Sequence, residues 1–287
     1  MTYGSTIGIF APSSSIIPEK FEAGLQILKD HGYNTIIHPQ TYTGAGEQTQ
    51  IAGTTEQKIT AYKELVADTS VDFIMAATGG NRACFLLDEI SKLKTHKPIM
   101  GFSDVTAILG LHYKLGIPSL FGPTVQTLAR MDSPHINLTF EKLKSSTQSE
   151  IEMVGGVTLY EGKVTAPIFA ATMSNLASLC GTSFMPELNQ HILLLEDIGD
   201  ETNRLDRMLW QILSQTNPAG LLFGQFLSPE ETGRPYGEKI EEIIKKHASM
   251  KNIPCLMNVP IAHDGRIFPI INGQTAILDA TKRVLIL

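Results

Sequence analysis

Cysteine is scarce in this 287-residue chain: Cys84, Cys180 and Cys255 are odd in number and far apart, and none belongs to a Cys-x-x-Cys or Cys/His pair. A disulfide framework and a cysteine-based zinc site are therefore both disfavoured. Basic charge is also in short supply. The 23 Lys and Arg face 29 Asp and Glu, a net −6 with no basic stripe, which points away from nucleic acid and anionic membrane as partners. No uncharged apolar run reaches the roughly eighteen residues of a membrane helix. The opening MTYGSTIGIFAPSSS carries no cation before Lys20, whereas a secretory signal begins with positive charge ahead of its apolar stretch. Repeats and low-complexity tracts are missing, and an apolar content of 43% is too high for a disordered chain. These absences leave the expectation of a cytoplasmic globular protein acting on small molecules or peptides, built as one large domain or two smaller ones.

The first 125 residues alternate short apolar runs with amphipathic stretches. Strands are expected at 6–10, 34–38, 73–77, 98–101 and 119–121, with helices at 18–30 and from Thr55 to about Ala67, where Thr54 and Gln57 fit a capping box. Strands separated by helix-sized segments imply βαβ units and a mainly parallel sheet. Residues 131–150 are polar and rich in Ser, Thr and Lys, and read as an exposed helix and linker. Beyond them, strands at 192–195, 220–223, 255–259, 276–278 and 284–287 mix with helices near 172–179, 203–214 and 237–246. The expected fold class is α/β, with a parallel-sheet domain at 1–130, a linker at 131–150 and a second domain at 151–287.

Four segments can carry chemistry. In Pro98-Ile-Met-Gly-Phe-Ser-Asp-Val-Thr a buried strand runs into a turn and then an apolar helix, placing Ser103 as in a nucleophile elbow. The amide of Asp104 would face a developing oxyanion at the helix start. The plainer alternative makes Ser103 or Asp104 an N-cap, and the second glycine of G-x-S-x-G is missing. A second turn, Thr78-Gly79-Gly80-Asn81, can present backbone N–H groups to an oxyanion or phosphate, or serve only as a positive-φ turn; it is neither a Walker loop nor GxGxxG. Glu196 ends a buried strand, where α/β proteins present functional side chains. Its neighbours Asp197, Asp200, Glu201 and Asp206 suggest either a divalent metal or an acidic helix start. His263 lies in a Pro/Gly-punctuated loop after a strand, one of eight histidines and a plausible base. Trp210, the only tryptophan, is expected to pack within its helix.

Together these segments resemble the LD-carboxypeptidase family of serine peptidases, which includes murein tetrapeptide carboxypeptidases and microcin C immunity peptidases. The resemblance runs through Ile-Phe-Ala-Pro-Ser-Ser at 9–14, Gly-Gly-Asn-Arg at 79–82, Gly-Phe-Ser-Asp-Val-Thr at 101–106, Asn-Leu at 175–176, Glu-Asp-Ile at 196–198, Arg-Leu-Asp-Arg-Met-Leu at 204–209 and the His263 loop. It implies a glutamine amidotransferase-like N-terminal domain joined to a smaller C-terminal domain of swivelling type. Ser103 becomes the nucleophile, His263 the general base and Glu196 the carboxylate orienting it. The oxyanion donors become the amide of Asp104 and one of Gly79 or Gly80. This chain departs from the family's pattern where Asn81 follows Gly80 directly, where Met173-Ser174 stands for paired glycines and where Ala262 precedes the histidine.

The resemblance further implies a homodimer, with no metal and no cofactor, that removes terminal D-alanine from murein tetrapeptide in cell-wall recycling. An exopeptidase must recognise a free carboxylate, a task suited to arginine; Arg82, Arg204, Arg207 and Arg266 are candidates, with Arg204 the choice. Two alternatives stay open. One is a microcin C-type immunity peptidase acting on aminoacyl-nucleotide analogues with the same triad, and the other is a non-catalytic module binding a small anion or peptide. A metal-dependent hydrolase built on Glu196, Asp197 and His263 is a further rival, whereas class I glutamine amidotransferase chemistry needs cysteine at the elbow.

Overall fold

The computed structural model describes residues 4–47, 49–145, 149–231 and 233–287. Strands β1 (Thr6–Phe10), β2 (Asn34–Ile37), β3 (Phe73–Ala76), β4 (Ile99–Gly101) and β5 (Ser119–Phe121) lie parallel in the order β5-β4-β3-β1-β2. Parallel pairing requires crossovers, and helices α1 (Pro18–Asp30), α2 (Thr55–Ala67), α3 (Leu87–Ser91) and α4 (Thr106–Lys114) supply them. β3 is buried along its whole length, as a parallel strand covered on both faces must be. The capping box of α2 is present: Thr54 Oγ1 accepts from the Gln57 N–H at 3.3 Å, and Gln57 Oε1 accepts from the Thr54 N–H at 2.8 Å.

After the short helix α5 (Val125–Leu128) comes α6 (Ser133–Lys144), capped by Asp132. This helix lies within the polar stretch 131–150, of which 146–148 fall outside the described residues, and it is not simply exposed. Thr139, Phe140 and Leu143 are buried, with the Phe140 ring stacked on His31 at 3.9 Å and tilted against Tyr33 at 5.5 Å. Spacings of three and four along α6 put these residues on one face, so its polar composition conceals an apolar stripe.

The second half contributes β6 (Glu150–Glu152), β7 (Val157–Tyr160), β8 (Lys163–Thr172), β9 (Ile192–Ile198), β10 (Gly220–Leu227), β11 (Cys255–Met257), β12 (Ile270–Ile271), β13 (Thr275–Asp279) and β14 (Val284–Ile286), with helices α7 (Met173–Leu179), α8 (Thr202–Gln215) and α9 (Ile240–Ser249). Eight of these strands form a sheet in the order β6-β14-β13-β8-β9-β10-β11-β7, parallel from β8 to β11 and antiparallel on either side. The ninth, β12, leaves its neighbours and pairs antiparallel with β5, Ile270 opposite Phe121. One strand of 151–287 thus completes the sheet of 1–130, and the two halves are stitched together there.

β9 runs through Ile198, so Glu196 lies within the strand rather than at its end. The C-terminal ends of β4, β8 and β9 meet at the seam between the sheets, where open α/β architectures commonly place ligands. Among the described residues no helix is long and apolar enough to cross a membrane.

Candidate active site

Gly101 ends β4, and Ser103 follows in the left-handed region at φ +60°. That conformation costs a non-glycine residue about 1–2 kcal/mol, and such strain gathers at functional turns. Gly101 is needed here because a Cβ would lie 2.8 Å from Val105 Cγ1. Neither Ser103 nor Asp104 caps the following helix with its side chain. Asp104 Oδ2 instead accepts from Ser13 Oγ at 2.6 Å and from the Ala83 N–H at 2.7 Å, joining the loops that follow β1, β3 and β4. Buried Lys58 backs this junction, donating from Nζ to the Ser13 carbonyl at 2.6 Å. Burial raises the Asp104 carboxyl, opposed by its two hydrogen bonds and the charge of Lys58, and burial pushes the Lys58 ammonium down to about 8.

Glu196 is fully buried and His263 nearly so. His263 Nδ1 bonds Glu196 Oε2, and Thr172 Oγ1 donates to Glu196 Oε1 at 2.6 Å. Both carboxylate oxygens are therefore engaged, as a buried charge requires. β8 and β9 set this up: Thr172 stands opposite Glu196 in their parallel pairing. Gly224 on β10 leaves room for it, since a Cβ there would meet the Ile261 carbonyl at 2.5 Å and Glu196 Cβ at 2.7 Å. The Phe102 ring packs against the His263 imidazole, centroids 4.7 Å apart. His263 Nε2 is buried without a hydrogen-bond partner, so Ser103 Oγ does not donate to it in this conformation. Such contacts commonly tighten only once substrate is bound.

Ser103 and His263 line one cleft of about 610 Å³, together with Ser14, Gly79, Gly80 and Arg130, within the roughly 300–1,000 Å³ of small-ligand pockets. The Gly79–Gly80 turn lies directly on the serine: a Cβ at Gly79 would be 2.7 Å from Ser103 Cβ and 3.0 Å from its Oγ. Gly80 has φ +130°, and a Cβ there would fall 1.9 Å from Ser14 Oγ. Among the described residues the amides of Gly79, Gly80 and Asp104 donate to no protein acceptor. A hydroxyl, an imidazole held by a carboxylate and free amides at a helix start are the parts needed for acyl transfer.

Arg204 is not brought to this cleft. It pairs with Glu201 at 3.5 Å on α8 and lines a separate depression beside Trp210. Arg207 donates to Asn203 at 3.0 Å, Arg266 binds Asp264 and Gln225, and Arg82 is exposed outside the cleft. The arginine that does line it is Arg130, which the sequence reading did not single out. Its guanidinium has no hydrogen-bond or ion-pair partner among the described residues, and Asp264 and Glu196 supply the nearby negative charge. Its position just past α5, following the C-terminal end of β5, was the one available signal.

Trp210 is 61% exposed, contrary to the expected packing role, because α8 turns it to solvent with Arg207 and Gln211. The acidic run does not converge either. Asp197 accepts from the Ser174 N–H at 2.6 Å at the start of α7, while Asp206 accepts from His247 at 2.6 Å. Burial first and Glu196 second raise Asp197 to about 7. Among the described residues no cluster of three or more His, Cys, Asp or Glu is arranged to hold a metal ion.

Comparison with known proteins gives a consistent picture. The N-terminal domain of the LD-carboxypeptidase family matches residues 7–122 and its C-terminal domain residues 165–278. The murein tetrapeptide carboxypeptidase of Pseudomonas aeruginosa is 24% identical, covering 96% of this chain and 94% of its own. The microcin C7 self-immunity protein of Escherichia coli is 25% identical over 72% of this chain and 71% of its own. In fold, the chain is similar to the crystal structure of muramoyltetrapeptide carboxypeptidase from Oxalobacter formigenes, with TM-score 0.83, 22% identity and coverage of 98% and 97%.

Proposed function

This chain belongs to the LD-carboxypeptidase family of serine peptidases, and from that premise we propose that it releases terminal D-alanine from murein tetrapeptide. The bond broken is that between the L-centre of meso-diaminopimelate and D-alanine, in the service of cell-wall recycling. The proposed enzyme is a cytoplasmic homodimer that uses neither metal nor cofactor. One observation carries this reading: a serine strained at a strand–helix turn shares a cleft with a histidine whose far nitrogen is tied to a buried glutamate.

In the proposed reaction, Ser103 Oγ swings to His263 Nε2, loses its proton there and attacks the scissile carbonyl. Glu196 holds the tautomer of His263 that leaves Nε2 free to accept, and stabilises the imidazolium that forms. The oxyanion is received by the amides of Asp104 and of Gly79 or Gly80 at the start of the helical segment. His263 then returns the proton to the departing amine of D-alanine, and water hydrolyses the acyl-enzyme by the same route in reverse.

The cleft supports a peptide over a nucleotide. Phe102 and His263 supply the only aromatic rings among its described lining residues, and both are buried, so neither offers a broad exposed face to stack a base. Lys20 and Arg130 line it together with Glu19 and Glu47, a mixture of charges suited to a peptide bearing carboxylates and an amine. Arg130 is assigned the terminal carboxylate, in place of Arg204.

Mass spectrometry of L-Ala-γ-D-Glu-meso-diaminopimelate-D-Ala incubated with the protein tests this. The expected result is loss of one D-alanine, abolished by Ser103→Ala and unaffected by EDTA. Arg130→Met is expected to raise KM about tenfold or more, from the loss of a charge-assisted hydrogen bond; an unchanged KM would remove Arg130 from substrate recognition. Cleavage of an aminoacyl-sulfamoyl nucleotide but not of the tetrapeptide would favour the immunity reading. Cleavage of neither, with ligand affinity intact in Ser103→Ala, would mark a binding module.

A further inference from the structure

Thr172 ends β8 and stands at the N-cap position of α7, yet its side chain caps nothing. Its Oγ1 donates to Glu196 Oε1 at 2.6 Å and accepts from the Ser103 N–H at 3.1 Å. The residue is 2% exposed. Its own N–H donates to Thr106 Oγ1 at 3.2 Å, so the end of β8 is fastened twice to the segment carrying the serine. A hydroxyl has one proton, and the ionised carboxylate can only accept. The direction is therefore fixed: Ser103 N–H to Thr172 Oγ, and Thr172 O–H to Glu196.

We propose that Thr172 is a positioning residue that links the nucleophile turn of the first sheet to the orienting carboxylate of the second through its side-chain hydroxyl. The proposal rests on the Ser103–His263–Glu196 reading above. Two consequences follow from the geometry. With Oε1 held by Thr172, only Oε2 is left to engage His263, which fixes the imidazole's orientation. With its amide committed to Thr172, Ser103 has no N–H for an oxyanion, and that duty passes to Asp104 and the Gly79–Gly80 turn. Among the described residues, the other ionisable groups acting with Glu196 are Asp197 on the same strand and Arg130 across the cleft.

Thr172→Val keeps the shape and removes the hydroxyl, orphaning a buried carboxylate oxygen and the Ser103 amide. The measurements are kcat and KM for D-alanine release across pH, and the downfield proton NMR signal of the His263 imidazole N–H in the full chain. Expected for Thr172→Val is a kcat reduced about tenfold or more at neutral pH, with KM within about twofold, as a lost hydrogen bond to a charged group implies. The acid limb of the kcat profile, set by protonation of the base His263, moves up by about one pH unit, because a carboxylate that has lost a hydrogen bond holds the imidazolium more strongly. The His263 signal shifts or broadens, and Thr172→Ser restores rate, profile and signal. If Thr172→Val does not fold, Thr172→Ala takes its place.

A merely structural threonine would lower Tm and leave the acid limb and the His263 signal where they were. That result, or a Thr172→Ser variant as impaired as the valine, would overturn the proposal. The functional reading fails separately, if wild-type protein releases no D-alanine or Ser103→Ala still does. In that event the His263 signal alone decides the role of Thr172.

Discussion

Gly79→Ala isolates the contact on which the oxyanion assignment depends. Gly79 has no positive φ, so its backbone tolerates alanine and the perturbation is purely steric. The added methyl would sit 2.7 Å from Ser103 Cβ and 3.0 Å from Ser103 Oγ, against an ordinary carbon contact of about 3.5–4.0 Å. Close to 1 Å of relief is therefore needed. The serine has little freedom to provide it: its amide is held by Thr172 and the next residue by Ser13 and Ala83. Either the glycine turn retreats and withdraws its amides, or Ser103 leaves its attacking position. Both routes act on the reacting centre, and a displacement near 1 Å there is worth about a hundredfold in rate.

The assay is steady-state D-alanine release with thermal unfolding in parallel. Expected is a kcat about a hundredfold lower with KM little changed, and a stability loss of about 1–3 kcal/mol from overpacking. Gly80→Ala supplies the contrast. Its φ of +130° and the 1.9 Å approach to Ser14 Oγ put strain first into the fold, so Tm falls more steeply than for Gly79→Ala. A folded Gly79→Ala protein with kcat within about threefold of wild type would refute the reasoning, because the turn would then not govern the serine.

Two further predictions concern buried groups away from the reacting atoms. Burial pushes Lys58 down to about 8 from its ordinary 10.5, so between those values the unfolded chain holds a proton that the folded chain lacks. Stability should rise with pH across that window, and Lys58→Met should flatten the rise of urea midpoint between pH 8 and 10; an unchanged slope would assign it to other groups. Tyr62 O–H lies 2.8 Å from His112 Nε2 and 3.3 Å from His96 Nδ1, and burial followed by the charge of His96 pushes His112 down to about 3. Tyr62→Phe leaves His112 Nε2 unpartnered and should cost about 1–3 kcal/mol in urea unfolding at pH 7; an unaltered midpoint would show that the imidazole finds another partner.

The first sheet was legible because its central strands are short apolar runs closed by turn residues, and because α2 announces itself through Thr54 and Gln57. β8 was not, although it lies in the middle of the second sheet. Its sequence, Lys-Val-Thr-Ala-Pro-Ile-Phe-Ala-Ala-Thr, contains a proline that argues against a central strand. The structure explains the exception: β8 pairs with β13 along 163–167 and with β9 along 168–172. Pro167 stands at the changeover, before pairing with β9 begins, so no bond to β9 is lost by its missing N–H. β12 was invisible for another reason, since two residues have no periodicity and the strand exists only because β5 offers an edge.

The same distinction runs through the site. Ser103, the proposed nucleophile, stood out as a candidate because its turn imposes a local backbone demand, a left-handed residue between strand and helix with glycine two places before it, although the sequence there also fitted a helix cap. Glu196 and His263 needed the family resemblance, since neither has a backbone signature and the bond between them spans 67 positions. Thr172 and Arg130 had still less to mark them. One looks like an ordinary helix cap and the other like a surface cation, and each gains meaning only when the other half of the chain arrives. Gly224 is equally unmarked, although its contacts lie within its own half of the chain: the Cβ it excludes would strike Glu196 and Ile261, residues 28 and 37 positions away. Local strain leaves a local motif, whereas contacts between residues far apart in the chain leave none. A site assembled between two sheets therefore shows its proposed nucleophile first and the residues proposed to position it last, and substitutions at Thr172 and Gly224 should lower kcat for D-alanine release although no motif marks them.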